Sequence, residues 1–145
     1  MATLYDTARE GFLRGEIVWK VDGSVIKASL VRGYTFSTTH RYLSEVIGAG
    51  GVIVATETLS SLTNTLGVAD AADAEWEGVP EGDPIPSVVI YQASAVTGGV
   101  DLPAAQQRLI AHVSRRVGGV ALAIIPNGQL ITGRWSPGSD RIFRF

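Results

Sequence analysis

His40 and His112 are the only histidines, and there is no cysteine. Zinc–thiolate sites, disulfides and cysteine nucleophiles are therefore excluded. The two histidines stand far apart in the chain and form no local ligand motif. His112 lies between Ala111 and Val113 in a strand-like stretch, the setting of a structural histidine. A Ser-His-Asp triad is defined by geometry rather than by order, but the sequence has no Gly-x-Ser-x-Gly elbow. Gly48-Ala49-Gly50-Gly51 lacks the lysine and spacing of a phosphate loop and reads as a flexible connection. Asp70-Ala71-Ala72-Asp73 lacks the alternating ligands and closing glutamate of a calcium loop. Glu75 and Glu77 flank Trp76 on one face of a short strand. That layout could serve as a glycosidase carboxylate pair, but it is also the ordinary wet face above a buried tryptophan, which is the reading taken. No catalytic residue, cofactor or metal ligand is assigned, and the chain reads as non-enzymatic.

The elements that hold these groups follow from periodicity. Leu4, Ala8 and Phe12 recur on one helical face, with Thr3 or Asp6 as cap and Gly15 as the stop. Ile17 and Trp19 alternate with Glu16, Val18 and Lys20, and Asp22-Gly23 signals a hairpin into a strand over Val25–Val31. Residues 33–40 read as a Thr/Ser loop and Arg41–Ile47 as one or two helical turns. Further strands are expected at Val52–Thr58, Leu59–Leu66, Glu75–Glu77, Ser87–Gln92, Leu109–Val113, Leu130–Trp135 and Arg141–Phe145. Ala93–Gln107 reads as loop with a helical turn at Ala104–Gln107, and Val120–Ile125 is strongly apolar. Pro126-Asn127-Gly128 and Ser136-Pro137-Gly138-Ser139 mark turns. Roughly eight short strands and one or two helices predict a β-rich α+β fold. It is expected to be a single domain over residues 1–145, an antiparallel sandwich or barrel-like sheet with a short N-terminal helix.

Length and composition agree with that reading. The chain has 145 residues, of which 46% are hydrophobic and 18% charged. Disordered chains are charge-rich and poor in hydrophobes. The net charge of −2 lacks the basic excess of a nucleic-acid binder, so no direct nucleic-acid partner is expected. Charged residues interrupt the N-terminus, which argues against a secretory signal. The most apolar run, Val117–Pro126, is half the roughly 20 residues of a membrane span, so no membrane association is expected.

Charge is segregated along the chain. Asp70, Asp73, Glu75, Glu77, Glu81 and Asp83 form a block free of Lys and Arg. From residue 108 onward stand Arg108, Arg115, Arg116, Arg134, Arg141 and Arg144, against Asp140 alone. The plain reading is a solvated loop and ordinary surface arginines. The sharper one is a dipolar subunit whose acidic region meets a neighbour's basic region. Tyr34 and Phe36 lie in a polar loop and Phe145 ends the sequence, which makes them candidate partner contacts. The candidate interface is therefore Tyr34, Phe36, Glu75, Glu77, Glu81 and Phe145.

Four stretches carry a resemblance when read together. They are Leu4-Tyr5-Asp6-Thr7-Ala8-Arg9-Glu10 with Phe12-Leu13 and Gly15; Ile26-Lys27 through Leu30-Val31 to Tyr34-Thr35; Gly67-Val68-Ala69-Asp70-Ala71-Ala72-Asp73; and Pro126-Asn127-Gly128 through Trp135 to Arg141-Ile142-Phe143-Arg144-Phe145. His40 with Leu43, and Val89-Ile90-Tyr91, fall in the same order. The whole resembles a family of small virion structural proteins of tailed bacteriophages. The stretch Ala93–Gly119 departs from that pattern. The resemblance implies a capsid decoration or cement protein, or a minor head or tail protein, without catalytic residues. It also implies the major capsid protein and neighbouring copies as partners, homo-oligomers on lattice symmetry axes, and a place on the capsid surface after synthesis in the host cytoplasm. A small glycan-binding module or hydrolase around Trp76 is the alternative of another class.

Overall fold

The computed structural model describes residues 2–96, 98–138 and 141–145. Ser139, which ends the expected turn, and Asp140 lie outside the described residues. The chain folds as β1 (Thr3–Leu4), α1 (Asp6–Leu13), β2 (Val25–Arg32), α2 (Leu43–Gly48), β3 (Val52–Thr58), β4 (Val68–Ala69), β5 (Ala74–Trp76), β6 (Ser87–Ser94), β7 (Arg108–Val113), β8 (Ile131–Gly133) and β9 (Phe143–Arg144). The fold is β-rich α+β. A five-stranded antiparallel sheet in the order β1-β7-β6-β2-β3 is joined by the ribbons β4–β9 and β5–β8. No helix among the described residues is long and apolar enough to cross a membrane.

At the centre of the sheet, β6 carries a run of β-branched and apolar residues without alternation. Such strands suit a sheet covered on both faces. Every residue of β6 is buried, as are most residues of β2 and β7. Several of the polar side chains there are paired across the strands. The Ser29 hydroxyl bonds those of Thr56 at 2.7 Å and Tyr91 at 3.1 Å, and Ser87 donates to the Val31 carbonyl at 3.2 Å. The β5–β8 ribbon covers this sheet through a tryptophan, and the β4–β9 ribbon packs on the segment before β2 through a phenylalanine. Trp76 of β5 donates its indole N–H to the Ala28 carbonyl of β2 at 3.0 Å. Phe143 of β9 packs on Trp19 with ring centroids 5.1 Å apart.

Several elements differ from the sequence-based expectation. The helix begins at Asp6, because Thr3 and Leu4 pair with His112 and Ala111 as an edge strand. Leu4 is thus buried by the sheet and not by a helical stripe. The stretch around Ile17 and Trp19 does alternate, burying both, but it joins no backbone ladder. The Gln92 side chain of β6 takes the ladder's place, accepting from the Val18 N–H at 3.0 Å and donating to the Glu16 carbonyl at 2.8 Å. The turn at Asp22 forms at φ 60 but closes no hairpin. Leu59–Leu66 is also no strand. Leu59 and Leu62 are buried, and Thr63 pairs with Asp70 through backbone bonds alone. The other expected strands form, several of them shorter at their ends.

Candidate interaction surfaces

The Thr/Ser loop between β2 and α2 brings both histidines to one tyrosine. The Tyr34 hydroxyl bonds the Tyr5 hydroxyl at 3.1 Å and His40 Nδ1 at 2.8 Å. Phe36 stacks on His112 with centroids 4.4 Å apart, and Tyr34 meets the same imidazole edge-on at 5.5 Å. His112 is held at the sheet edge by the β1–β7 pairing, with Nε2 buried and without a partner among the described residues. Burial pushes the His112 imidazole down to about 4, so it is neutral at ordinary pH. Burial likewise raises the Tyr5 and Tyr34 phenols. Tyr34 and Phe36 are half-buried against this cluster, so each offers only part of its ring to a partner. α2 is set by its first turn. Burial pushes the Glu45 carboxyl up, but the N–H groups of Arg41 and Tyr42, at 2.5 and 2.9 Å, override this and leave it below its ordinary value.

The acidic block lies along the β5–β8 ribbon and the turn after it. Alternation puts Ala74 and Trp76 inward and Glu75 and Glu77 outward. Gly133 stands opposite Ala74, and a Cβ there would lie 2.7 Å from the Trp76 ring, so only glycine fits beside the indole. The turn carrying Glu81 and Asp83 is pinned from below, where Arg32 donates to the Asp83 carbonyl at 2.8 Å. Acidic and basic segments meet within the molecule: Asp70 pairs with Arg141 at 3.6 Å and Asp73 with Arg134 at 4.0 Å. Arg108 is not a surface arginine. It is buried, pairs with Glu16 and donates to the Thr7 carbonyl at 2.7 Å, tying α1 to β7. Glu75, Glu77, Glu81, Arg115 and Arg116 make no ion pair among the described residues.

The segment from Ser114 to Leu130 is an arm. It closes on itself through an isolated bridge from Arg115 to Ala121, and the isolated bridge from Ile124 to Ile85 fastens it to the chain. Val117, Val120 and Ile125 are exposed by 70%, 64% and 72%. Arm and ribbon enclose a groove of about 790 Å³, whose apolar lining includes Trp76, Val117, Ile125 and Leu130. Arg115, Arg116, Arg134 and Arg141 line it as well. Phe145 is 61% exposed, yet its ring meets Phe12 at 5.1 Å and Phe143 at 5.8 Å. It closes one side of a smaller cleft of about 260 Å³ that Trp19 also lines.

The six expected interface residues therefore fall in three places: the Tyr34–Phe36 cluster, the acidic ribbon and turn, and the Phe145 cleft. Sequence reasoning did not single out the arm as a contact surface. Its signal was present in Val117–Ile125, an apolar run broken by Gly118-Gly119. No group of three or more potential metal ligands occurs among the described residues. No family model matches the chain, and neither the curated proteins nor the solved structures contain a match.

Proposed function

We propose that this chain is a non-enzymatic structural protein of a tailed bacteriophage virion, acting as a capsid decoration protein. It binds the mature shell, contacting the major capsid protein and neighbouring copies of itself. The order of the motifs supports the virion reading. The structural observation that carries the binding role is the exposed apolar arm over its arginine-bordered groove. Exposed apolar surface of this kind marks an interaction site, while the sheet behind it supplies a rigid base. A protein that binds only the mature lattice stabilises it by mass action, and many copies multiply the effect. Closed symmetry would place those copies around lattice axes.

The test is copy number on purified particles, measured by quantitative mass spectrometry against the major capsid protein. Decoration requires roughly one copy per one to three capsid subunits, as lattice symmetry dictates. About one copy per fifty subunits would move the protein to the head–tail junction or tail, where a ring of fixed symmetry sits. Absence from particles would overturn the virion reading.

A further inference from the structure

We propose that copies of this chain associate head to tail, with the Glu75–Glu77 face of one seated on the Arg115–Arg116 border of the next copy's groove. This deepens the decoration reading by naming the self-contact, and it rests on that reading for its setting. The argument begins with strand alternation. Trp76 lines the groove, so Glu75 and Glu77, on either side of it, project from the opposite face of the ribbon. The acidic face therefore points away from the Trp76 side of the ribbon, and among the described residues no ion pair joins it to Arg115 or Arg116.

The charges left over fit that geometry. Asp70 and Asp73 are engaged by Arg141 and Arg134 within the chain. Glu75, Glu77, Arg115 and Arg116 are exposed and without an ion pair among the described residues. Among the described residues, the Arg115 and Arg116 side chains donate to backbone carbonyls of the arm, Gly119 at 2.7 Å and Ala123 at 3.4 Å. That holds both cations at the groove border. A two-fold contact that set groove against groove would oppose arginine to arginine, which is repulsive. A head-to-tail contact sets carboxylate against guanidinium and covers the exposed Val117 and Ile125. Such heterologous contacts close into a ring when the rotation per step allows. The charges set orientation and encounter rate, and the covered apolar surface supplies affinity.

The experiment uses the full chain and measures mass in solution by light scattering across a concentration series. The parent is expected to exceed the 15.3 kDa of one copy in a concentration-dependent way. Glu75→Lys with Glu77→Lys, and separately Arg115→Glu with Arg116→Glu, should each give single copies. Their circular dichroism should match the parent, since all four side chains are exposed. The decisive arm is the equimolar mixture of the two variants. Each then offers the face the other lacks, so assemblies of alternating copies should return. A parent that stays single at every concentration, variants that still assemble, or a mixture that does not reassemble would each overturn the proposal. Outcome and setting separate cleanly. Assembly in solution without copies on particles sinks the decoration reading and leaves this contact standing. Abundant copies on particles with no self-assembly does the reverse.

Discussion

Strand β6 and the arm that follows β7 are both rich in valine and isoleucine, yet their fates are opposite. β6 has a hydrogen-bonded neighbour on each edge and layers on each face, and all of it is buried. Among the described residues the arm makes isolated bridges and joins no strand ladder, and its valines stay in water. An apolar run therefore reports a capacity to bury surface. Whether that surface is buried inside the chain depends on free edges and on a covering layer. Where the chain supplies neither, a partner can.

The sharpest way to break this comparison is at the seam between sheet and arm. Trp76 fills the space over β2, bonds Ala28 and lines the groove. Trp76→Ala should cost about 3–5 kcal/mol, the usual loss for a buried tryptophan. Urea unfolding measures it. A loss under about 1 kcal/mol would mean the ring is not part of the sheet's core.

A second test concerns the other end of the sheet, where His112 is buried as neutral imidazole. Its folded value of about 4 lies below the ordinary 6.5. The unfolded chain takes up a proton as pH falls through 6.5, while the folded one resists until about 4. Stability from this group is thus complete above 6.5 and is lost progressively down to about 4, by up to roughly 3 kcal/mol. Unfolding midpoints across that range should fall, and His112→Gln should flatten the fall. An unchanged slope in the variant would show that other groups carry it.

The smallest effect on stability is expected in the arm. Val117→Ser with Val120→Ser should alter unfolding by no more than about 0.5 kcal/mol, as exposed substitutions do. The same variant should lose incorporation into particles. A large loss of stability with normal incorporation would make the arm structural and leave the contact elsewhere.

The legible part of the fold was local or strongly patterned. Ser87–Gln92 read as a buried strand because no polar alternation interrupts it, and Val25–Val31 because it alternates between two turns. The stretch around Ile17 and Trp19 misled for a specific reason. Its alternation is real, but its partner is the amide of Gln92 and not a strand, and a side-chain surrogate leaves no trace in a periodicity. Thr3 and Leu4 were drawn into the helix by spacing alone, though β7 offered them an open edge. Of the candidate site, the outward face of Glu75 and Glu77 was legible, since it depends only on strand geometry. The half-burial of Tyr34 and Phe36 was not, because His112 comes from a distant strand.

The sequence by itself determined the central strands, the short helices, the turns and the separation of acidic from basic segments. Those features depend on backbone preferences and on the order of apolar and polar side chains over a few residues. Tertiary structure alone decided which strands pair, that His40 and His112 converge on Tyr34, and that Arg108 is buried. It also decided that arm and ribbon enclose one groove, with Glu75 and Glu77 turned away from the buried Trp76. The physical reason is that each of these depends on contacts between segments distant in the chain. Their geometry follows from sheet order and packing, which no local pattern encodes.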